Sequence, residues 1–285
     1  MTRKELFLRE NAVINAYSIG NKSTAIDYIM KLRERNTRCK LYRFRPPRLH
    51  EINALEEEKI YLCRPSQYED FGDCKIEYDI PDLFNYYLRD VKYPEHKNDI
   101  CFIDNNVIHK LIQKIEEDYK FQQLNNNIRN ECLIACITES YNSYMWKHYA
   151  QNSEGICFEY EMDSIIMGIK TPLRFFPVRY VENRSETKDI KLNSDDFKDT
   201  IINCEKAAKK YLLSCLTKDK FPYAKEYEWR LIYDHITLDN NSTGTLFDFI
   251  LPSKVILGKN ISKNPSFSDS IIECAKNKGI TVEEQ

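Results

Sequence analysis

The stretch Lys225-Glu226-Tyr227-Glu228-Trp229-Arg230-Leu231-Ile232 constrains this chain more than any other. It is rich in aromatic and branched residues and has no Gly or Pro, which predicts a β-strand. Side chains along a strand alternate with a period of two. Glu226, Glu228, Arg230 and Ile232 therefore share one face, and Tyr227, Trp229 and Leu231 the other. Two carboxylates and a guanidinium backed by aromatic residues fit a functional site built against a core. The commoner use of such a pattern is a solvated charged face stitched by a Glu–Arg ion pair.

The rest of the chain narrows the choice. Its 285 residues match the length of about two domains or one large one. With 42% hydrophobic and 30% charged residues it can bury a core and keep an ordinary charged surface. The formal net charge of −2 gives no basic field, so nucleic acid is not indicated as a partner. No apolar run approaches the roughly 20 residues that cross a bilayer, and Met1-Thr2-Arg3-Lys4-Glu5 leads into no signal-peptide core. No membrane association is expected, and the expected location is cytoplasmic. None of the ten Cys form a Cys-x-x-Cys pair, which argues against a zinc site and for reduced thiols. Cys132 and Cys136 fall on one face of an apolar strand and are expected to pack as small hydrophobes. Only seven Gly occur and none build a phosphate-cradling loop, so a nucleotide would have to bind without one.

Read in order, residues 1–38 are predicted helical and set apart as an N-terminal appendage. Strands are expected at 40–45, stopped by Pro46-Pro47, and at 60–63, with a short helix between them. Helices follow at 81–93, opening with Pro81, and at 105–124, capped by Asp104. Strand 131–138, a helical turn at 144–150 and a strand at 155–160 come next. A short helix at 162–169, a strand at 174–181, a polar loop at 183–194 and a helix at 195–214 lead to the Glu226–Ile232 strand. Strands near 245–250 and 254–257, a helix at 267–277 and a strand at 280–283 finish the chain. Strands and helices do not alternate regularly, and several strands follow one another late. That pattern favours one α+β domain over residues 39–285, with a mixed or largely antiparallel central sheet flanked by helices.

Four segments in this order resemble the bacterial family DUF2971, a domain of unknown function. They are Leu41-Tyr42-Arg43-Phe44-Arg45; Ile60-Tyr61-Leu62-Cys63-Arg64-Pro65-Ser66 leading to Phe71-Gly72-Asp73-Cys74; Met145-Trp146-Lys147-His148-Tyr149-Ala150 with Gly155-Ile156-Cys157-Phe158; and Tyr223 to Ile232. Val255-Ile256-Leu257-Gly258 also fits, so the resemblance spans about residues 40–260. The family usually shows an Asn-Asp-Pro-Phe-Asp-like loop where this chain has Glu69-Asp70-Phe71-Gly72-Asp73, and often His where Ser153 stands. The resemblance implies a bacterial or phage-encoded cytoplasmic protein. Similar abortive-infection proteins suggest a defence setting.

Three chemistries follow. The order Arg, Ser, Glu-x-Glu resembles Arg-Ser-Glu type ADP-ribosyltransferases, which implies an ADP-ribosyltransferase-like sheet and NAD as the bound nucleotide. In that layout Arg43, or Arg45, pairs with the diphosphate by bidentate contacts and Ser66 lies on the next strand. Glu228 holds the ribose and stabilises an oxocarbenium-like centre, and Glu226 orients the acceptor, which is an unidentified macromolecule or small molecule. A metal-dependent nuclease or phosphoesterase is the rival, with Asp70, Asp73, Glu226 and Glu228 as ligands and His148 as base, although known ligand spacings are missing and no metal is expected. The third is a non-enzymatic recognition module with Trp146, His148 and Tyr149 lining a pocket. Against all three stand structural roles: Trp146 and Tyr149 as core anchors, His148 as a hydrogen-bonded structural residue, and Arg230 as a buried partner of Glu228.

Overall fold

The computed structural model describes residues 2–17, 22–35, 40–68, 73–74, 77–86, 105–117, 132–169, 173–198, 202–233 and 242–285. Helices α1 (Arg3–Tyr17) and α2 (Lys22–Arg35) lead to strand β1 (Lys40–Arg45), then α3 (Leu49–Glu56) and β2 (Lys59–Cys63). The next elements are β3 (Glu77–Tyr78), α4 (Ile80–Tyr86), α5 (Asn105–Glu117), β4 (Leu133–Thr138), α6 (Ser143–Tyr149), β5 (Ile156–Glu161) and α7 (Met162–Gly168). After them come β6 (Arg174–Pro177), β7 (Arg179–Val181), β8 (Lys191–Leu192), α8 (Asp195–Lys198), α9 (Ile202–Cys215), β9 (Thr217–Asp219) and the short turn α10 (Lys220–Tyr223). The chain closes with β10 (Glu228–Tyr233), β11 (Gly244–Asp248), β12 (Lys254–Leu257), α11 (Pro265–Asn277) and β13 (Thr281–Glu284).

The main sheet is built around β4. One edge of β4 pairs along its whole length with β10, which continues to β6. The other edge forks. At one end Thr138 pairs with Tyr42 of β1, which continues through β5 and β12 to β13. At the other end Ile134 pairs with Cys63 of β2, which continues to β11. The Arg43 guanidinium spans the fork and donates to the Tyr61 carbonyl at 3.2 Å. Every pairing in this sheet is antiparallel except β12 with β13, so the α+β architecture read from the sequence is the observed one.

Directly opposed residues of an antiparallel pair share a face. Leu133, Ala135, Ile137, Trp229, Leu231, Leu41 and Phe158 therefore point to one side, and together they form the main core. Helices α1, α2, α3, α7 and α11 cover that side with Leu8, Ala12, Ile29, Leu32, Ile52, Leu55, Met162, Ile165, Phe267 and Ile271. On the other side Ile134 and Ile232 pack against Tyr211, Leu213 and Cys215 of α9. Further along that side Phe44, Cys157 and Ile256 pack against Met145 and Trp146 of α6. Glu228 and Arg230 lie on this second side, between the two smaller clusters.

Several expectations change. The N-terminal helices are not an appendage, because Leu8, Ala12, Ile29 and Leu32 belong to the main core and Val13 to the second cluster. The 174–181 strand breaks at Val178, whose N–H turns to the Glu228 carbonyl at 2.9 Å. The loop before the charged strand contains β9 and α10, and the strand begins at Glu228 rather than Glu226. Asp104 and residues 87–93 and 118–124 lie outside the described residues.

Gly155 shows how tightly β5 enters the sheet. An added Cβ would lie 2.0 Å from the backbone oxygen of Arg45, an atom fixed by its own strand. Gly155→Ala is expected to cost about 2–3 kcal/mol in urea unfolding, the scale of overpacking against backbone that cannot yield.

Candidate functional site

The site begins with an irregularity. Tyr227, between the two glutamates, has φ 49, a left-handed conformation that costs a side-chain-bearing residue roughly 1–2 kcal/mol. The turn is held by stitches to the end of β4. Glu139 N–H donates to the Tyr227 carbonyl at 3.2 Å. The Thr138 and Ser140 hydroxyls donate to the carbonyls of Glu226 and Lys225. Two residues apart on a regular strand lie roughly 6.5 Å from one another. Here both carboxylates reach a single ammonium.

That ammonium is Lys218 of β9. Its Nζ lies 2.7 Å from Glu228 Oε2, 3.0 Å from Glu226 Oε2 and 3.6 Å from Asp73 Oδ2. The Tyr223 ring lies beneath it, 5.0 Å away. Strand β9 is placed by its pairing with β7, whose Tyr180 hydroxyl accepts the Glu228 N–H at 2.9 Å. Arg230 forms the inner wall. Its Nε meets Glu228 Oε1 at 2.7 Å and its NH2 meets Asp73 Oδ2 at 2.5 Å. Its NH1 donates to the Cys215 carbonyl and to Cys74 Sγ. Glu228, 4% exposed, and Arg230, 0% exposed, are thus enclosed. Glu228 Oε2 meets Lys218 as an ion pair without a well-aligned hydrogen bond.

The outer wall is α6. Asn142 caps it, accepting the Met145 N–H at 3.0 Å. The Tyr149 hydroxyl donates to Glu226 Oε1 at 2.7 Å, while 41% of Tyr149 is exposed. Glu226 itself is 2% exposed, and Tyr149 is the exposed residue that it touches. Gln151, Asn152 and Ser153 follow α6 with φ 49, 55 and 63, three consecutive left-handed residues. Backbone strain therefore flanks the site on both sides, as it often does where geometry serves function.

Among the described residues, three carboxylates face two cations here, and burial divides the carboxylates. Burial raises all three. For Glu228 the charges of Arg230 and Lys218 overcome it and hold the carboxyl well below the usual range. For Asp73 the same two cations win, and its carboxyl is also lowered. For Glu226 burial, reinforced by the Glu228 charge, outweighs Lys218 and Tyr149, and the carboxyl is raised. Burial pulls Lys218 down, but Glu228 and Asp73 more than compensate, so it stays an ammonium and is no nucleophile. Burial and the Glu226 charge keep the Tyr149 hydroxyl protonated. The buried thiols of Cys74 and Cys215 and the half-buried thiol of Cys136 are pushed well up by burial and are inert packing.

The expected site residues divide. Glu226, Glu228 and Tyr149 converge. His148 is exposed on the same helix, its ring 4.4 Å from that of Tyr144. Trp146 does not line the site: it is buried beneath α6 against Phe44, ring centroids 5.1 Å apart, because large rings bury best where helix meets sheet. Arg43 does not join Glu228 either. Arg43 opposes Phe158 of the main core, whereas Glu228 shares a row with Thr138 and Tyr42, so their side chains leave opposite faces of the sheet. Arg43 and Arg45 are both held by the buried Glu51, and Ser66 is exposed on the turn after β2. The set Arg43, Arg45, Ser66 and Glu228 therefore does not fit a single NAD clasp. Of the ligands of the metal reading, Asp73, Glu226 and Glu228 each reach Lys218, but among the described residues no three carboxylates are grouped to hold a metal ion, and a divalent ion would add charge beside two buried cations. Asp70 lies outside the described residues.

Lys218 and the buried Arg9 were not among the expected residues. Lys218 lies on a three-residue strand with no readable periodicity, and the contacts that define it are tertiary.

The Arg43–Glu51 group makes its own prediction. Burial raises Glu51, but Arg43, His50 and Arg45 together bring it from 4.5 to about 2. A depressed carboxylate stabilises the fold above its unfolded value and loses that contribution as pH falls through its folded value. About 3 kcal/mol should disappear between pH 4.5 and 2. Urea midpoints measured across that window should fall less steeply in Glu51→Gln than in the wild type.

Neither a curated protein nor a solved structure gives a significant match to this chain. A family model matches residues 145–231, described as "Protein of unknown function (DUF2971)". The match is narrower than the 40–260 suggested by the sequence motifs, and it contains Tyr149, Lys218, Glu226, Glu228 and Arg230 while leaving out Arg43, Ser66 and Asp73. Over residues 145–231, the segment that carries most of the buried charge centre, the chain is similar to the DUF2971 family.

Proposed function

We propose that the protein is an acid–base enzyme in which Glu226 is the general acid, acting on an N-glycosidic bond of a nucleotide-like substrate held at the Tyr149 mouth. The observation that carries this reading is the pair of carboxylates, two residues apart on one ammonium, whose environments push them in opposite directions. Such a split assigns one group as the proton donor and the other as a permanent anion. With Glu226 protonated, the described centre is neutral: Lys218 and Arg230 balance Glu228 and Asp73. When Glu226 gives its proton to the departing base, the glycosidic bond breaks and its electron pair leaves with the base. The centre then carries one negative charge beside the cationic sugar carbon. That charge stabilises the oxocarbenium-like state as it forms. Water or another acceptor adds to the carbon and returns its proton to Glu226. The Tyr149 hydroxyl, which donates to the carboxylate, reverses to accept when Glu226 is protonated. Exposed Lys225, 5.7 Å from the centre of the Tyr144 ring, and the Tyr144–His148 ring pair suit an anionic, planar ligand.

The test is release of free base or nicotinamide from nucleosides, nucleotides and NAD by the purified chain, wild type beside Glu226→Gln. Release by the wild type and its loss in a folded variant support the reading. Binding of these ligands with no release would replace it with the recognition module, for which the exposed aromatic mouth suffices. Neither binding nor release would end it.

A further inference from the structure

The N-terminal helix reaches deeper than packing requires. Arg9, on α1, is 1% exposed. Its NH1 donates to the carbonyl of Glu228 at 3.0 Å and to that of Val178 at 3.4 Å. Its NH2 pairs with the Glu139 carboxylate, which also accepts the Trp229 indole N–H. The guanidinium lies 5.8 Å from the Tyr227 ring centre and 5.7 Å from that of Trp229. Through its own contacts and through Glu139, Arg9 therefore touches residues 227, 228 and 229 in turn. These residues contain the left-handed turn that aims Glu226 at Lys218 and Tyr149.

We propose that Arg9 is a positioning residue for the Glu226 carboxyl, acting by clamping the Tyr227–Trp229 backbone from outside the segment that matches the family. The proposal rests on Glu226 being the reactive group of this site. A planar guanidinium meets the carbonyls and the carboxylate from two separate nitrogens, NH1 and NH2, a span that the single nitrogen of an ammonium lacks. Without the clamp the Tyr227 turn loses the cation over its ring and one acceptor contact at Glu228. The strained residue then relaxes and Glu226 swings away from Lys218. Among the described residues, the groups facing Glu226 are Lys218 from β9, Tyr149 from α6 and Glu228 from β10. Leaving that company returns Glu226 to an ordinary carboxylate.

The experiment is a carbon-13 carboxyl titration of Glu226 in the full chain by NMR, its signal assigned by disappearance in Glu226→Gln. Wild type, Arg9→Gln, Arg9→Lys and Leu8→Ala are compared. Leu8, the sequence neighbour of Arg9, belongs to the main core, so its truncation loosens α1 while the Arg9 side chain keeps its own donors. Glu226 is expected to titrate above the usual range in the wild type and in Leu8→Ala, within it in Arg9→Gln, and between the two in Arg9→Lys. If Arg9→Gln fails to fold, Arg9→Lys decides by the same displacement. An unmoved Glu226 titration in the Arg9 variants would overturn the proposal, as would an equal displacement in Leu8→Ala. The titration needs no substrate, so a lack of enzymatic activity would remove the proposed reaction and leave this result to stand by itself.

Discussion

Arg230→Met is expected to destabilise the protein by about 3–5 kcal/mol, the cost of removing one partner from a buried ion pair. Arg230 has no exposure and serves four groups: Glu228, Asp73, the Cys215 carbonyl and the Cys74 thiol. Met fills much of the volume but leaves two buried carboxylates with only Lys218 between them. Those carboxylates would then take up protons at higher pH, so the variant should lose stability most at neutral pH and least in acid. Urea unfolding at pH 7 and pH 5 measures both effects. Adding Glu228→Gln to Arg230→Met should recover part of the loss, because the second change removes a charge that has lost its partner. A single variant as stable as the wild type within about 1 kcal/mol would mean that water, rather than Arg230, satisfies these carboxylates.

Glu226→Gln should show the opposite balance. Activity is expected to fall by about 10²–10⁴-fold, the usual contribution of a positioned general acid, with folding intact. Gln keeps the shape of the side chain: its one oxygen can still accept from Lys218, while its amide N–H donates to the Tyr149 hydroxyl. The sign of the stability change follows from linkage. A carboxyl whose folded value is raised contributes stability below its unfolded value and loses it as pH rises through the folded one. Gln escapes that loss, so the variant should match or exceed the wild type at neutral pH. Glu228→Gln, two residues away, should be clearly destabilised, because Glu228 is depressed and stabilising when charged. Rate and urea midpoint, measured on both variants, separate the catalytic carboxylate from the structural one. Equal losses of both properties in both variants would remove the distinction on which the proposed mechanism stands.

The exchange of roles between Glu226 and Glu228 was not legible in the sequence. The strand rule correctly put Glu228, Arg230 and Ile232 on one face and Trp229 and Leu231 on the other, and helix and strand positions were legible wherever apolar residues kept a clean period. The ion pair of Arg230 with Glu228 was readable because the residues are two apart. Asp73 meets Arg230 across 157 residues and Arg9 meets Glu228 across 219, and no local pattern encodes such a meeting.

Side-chain periodicity is a property of a dozen consecutive residues, so the sequence by itself determined the α+β class, the aromatic core face of β10 and the presence of paired carboxylates beside an arginine. Which carboxylate is charged depends on the dielectric and the neighbours, and those are set by chain segments far apart in sequence. The left-handed Tyr227, the arrival of Lys218 on a three-residue strand and the burial of Arg43 on the far face belong to that second kind. Only the tertiary structure decided them, because each is a local cost or an isolated charge that makes physical sense only with its distant partners in place.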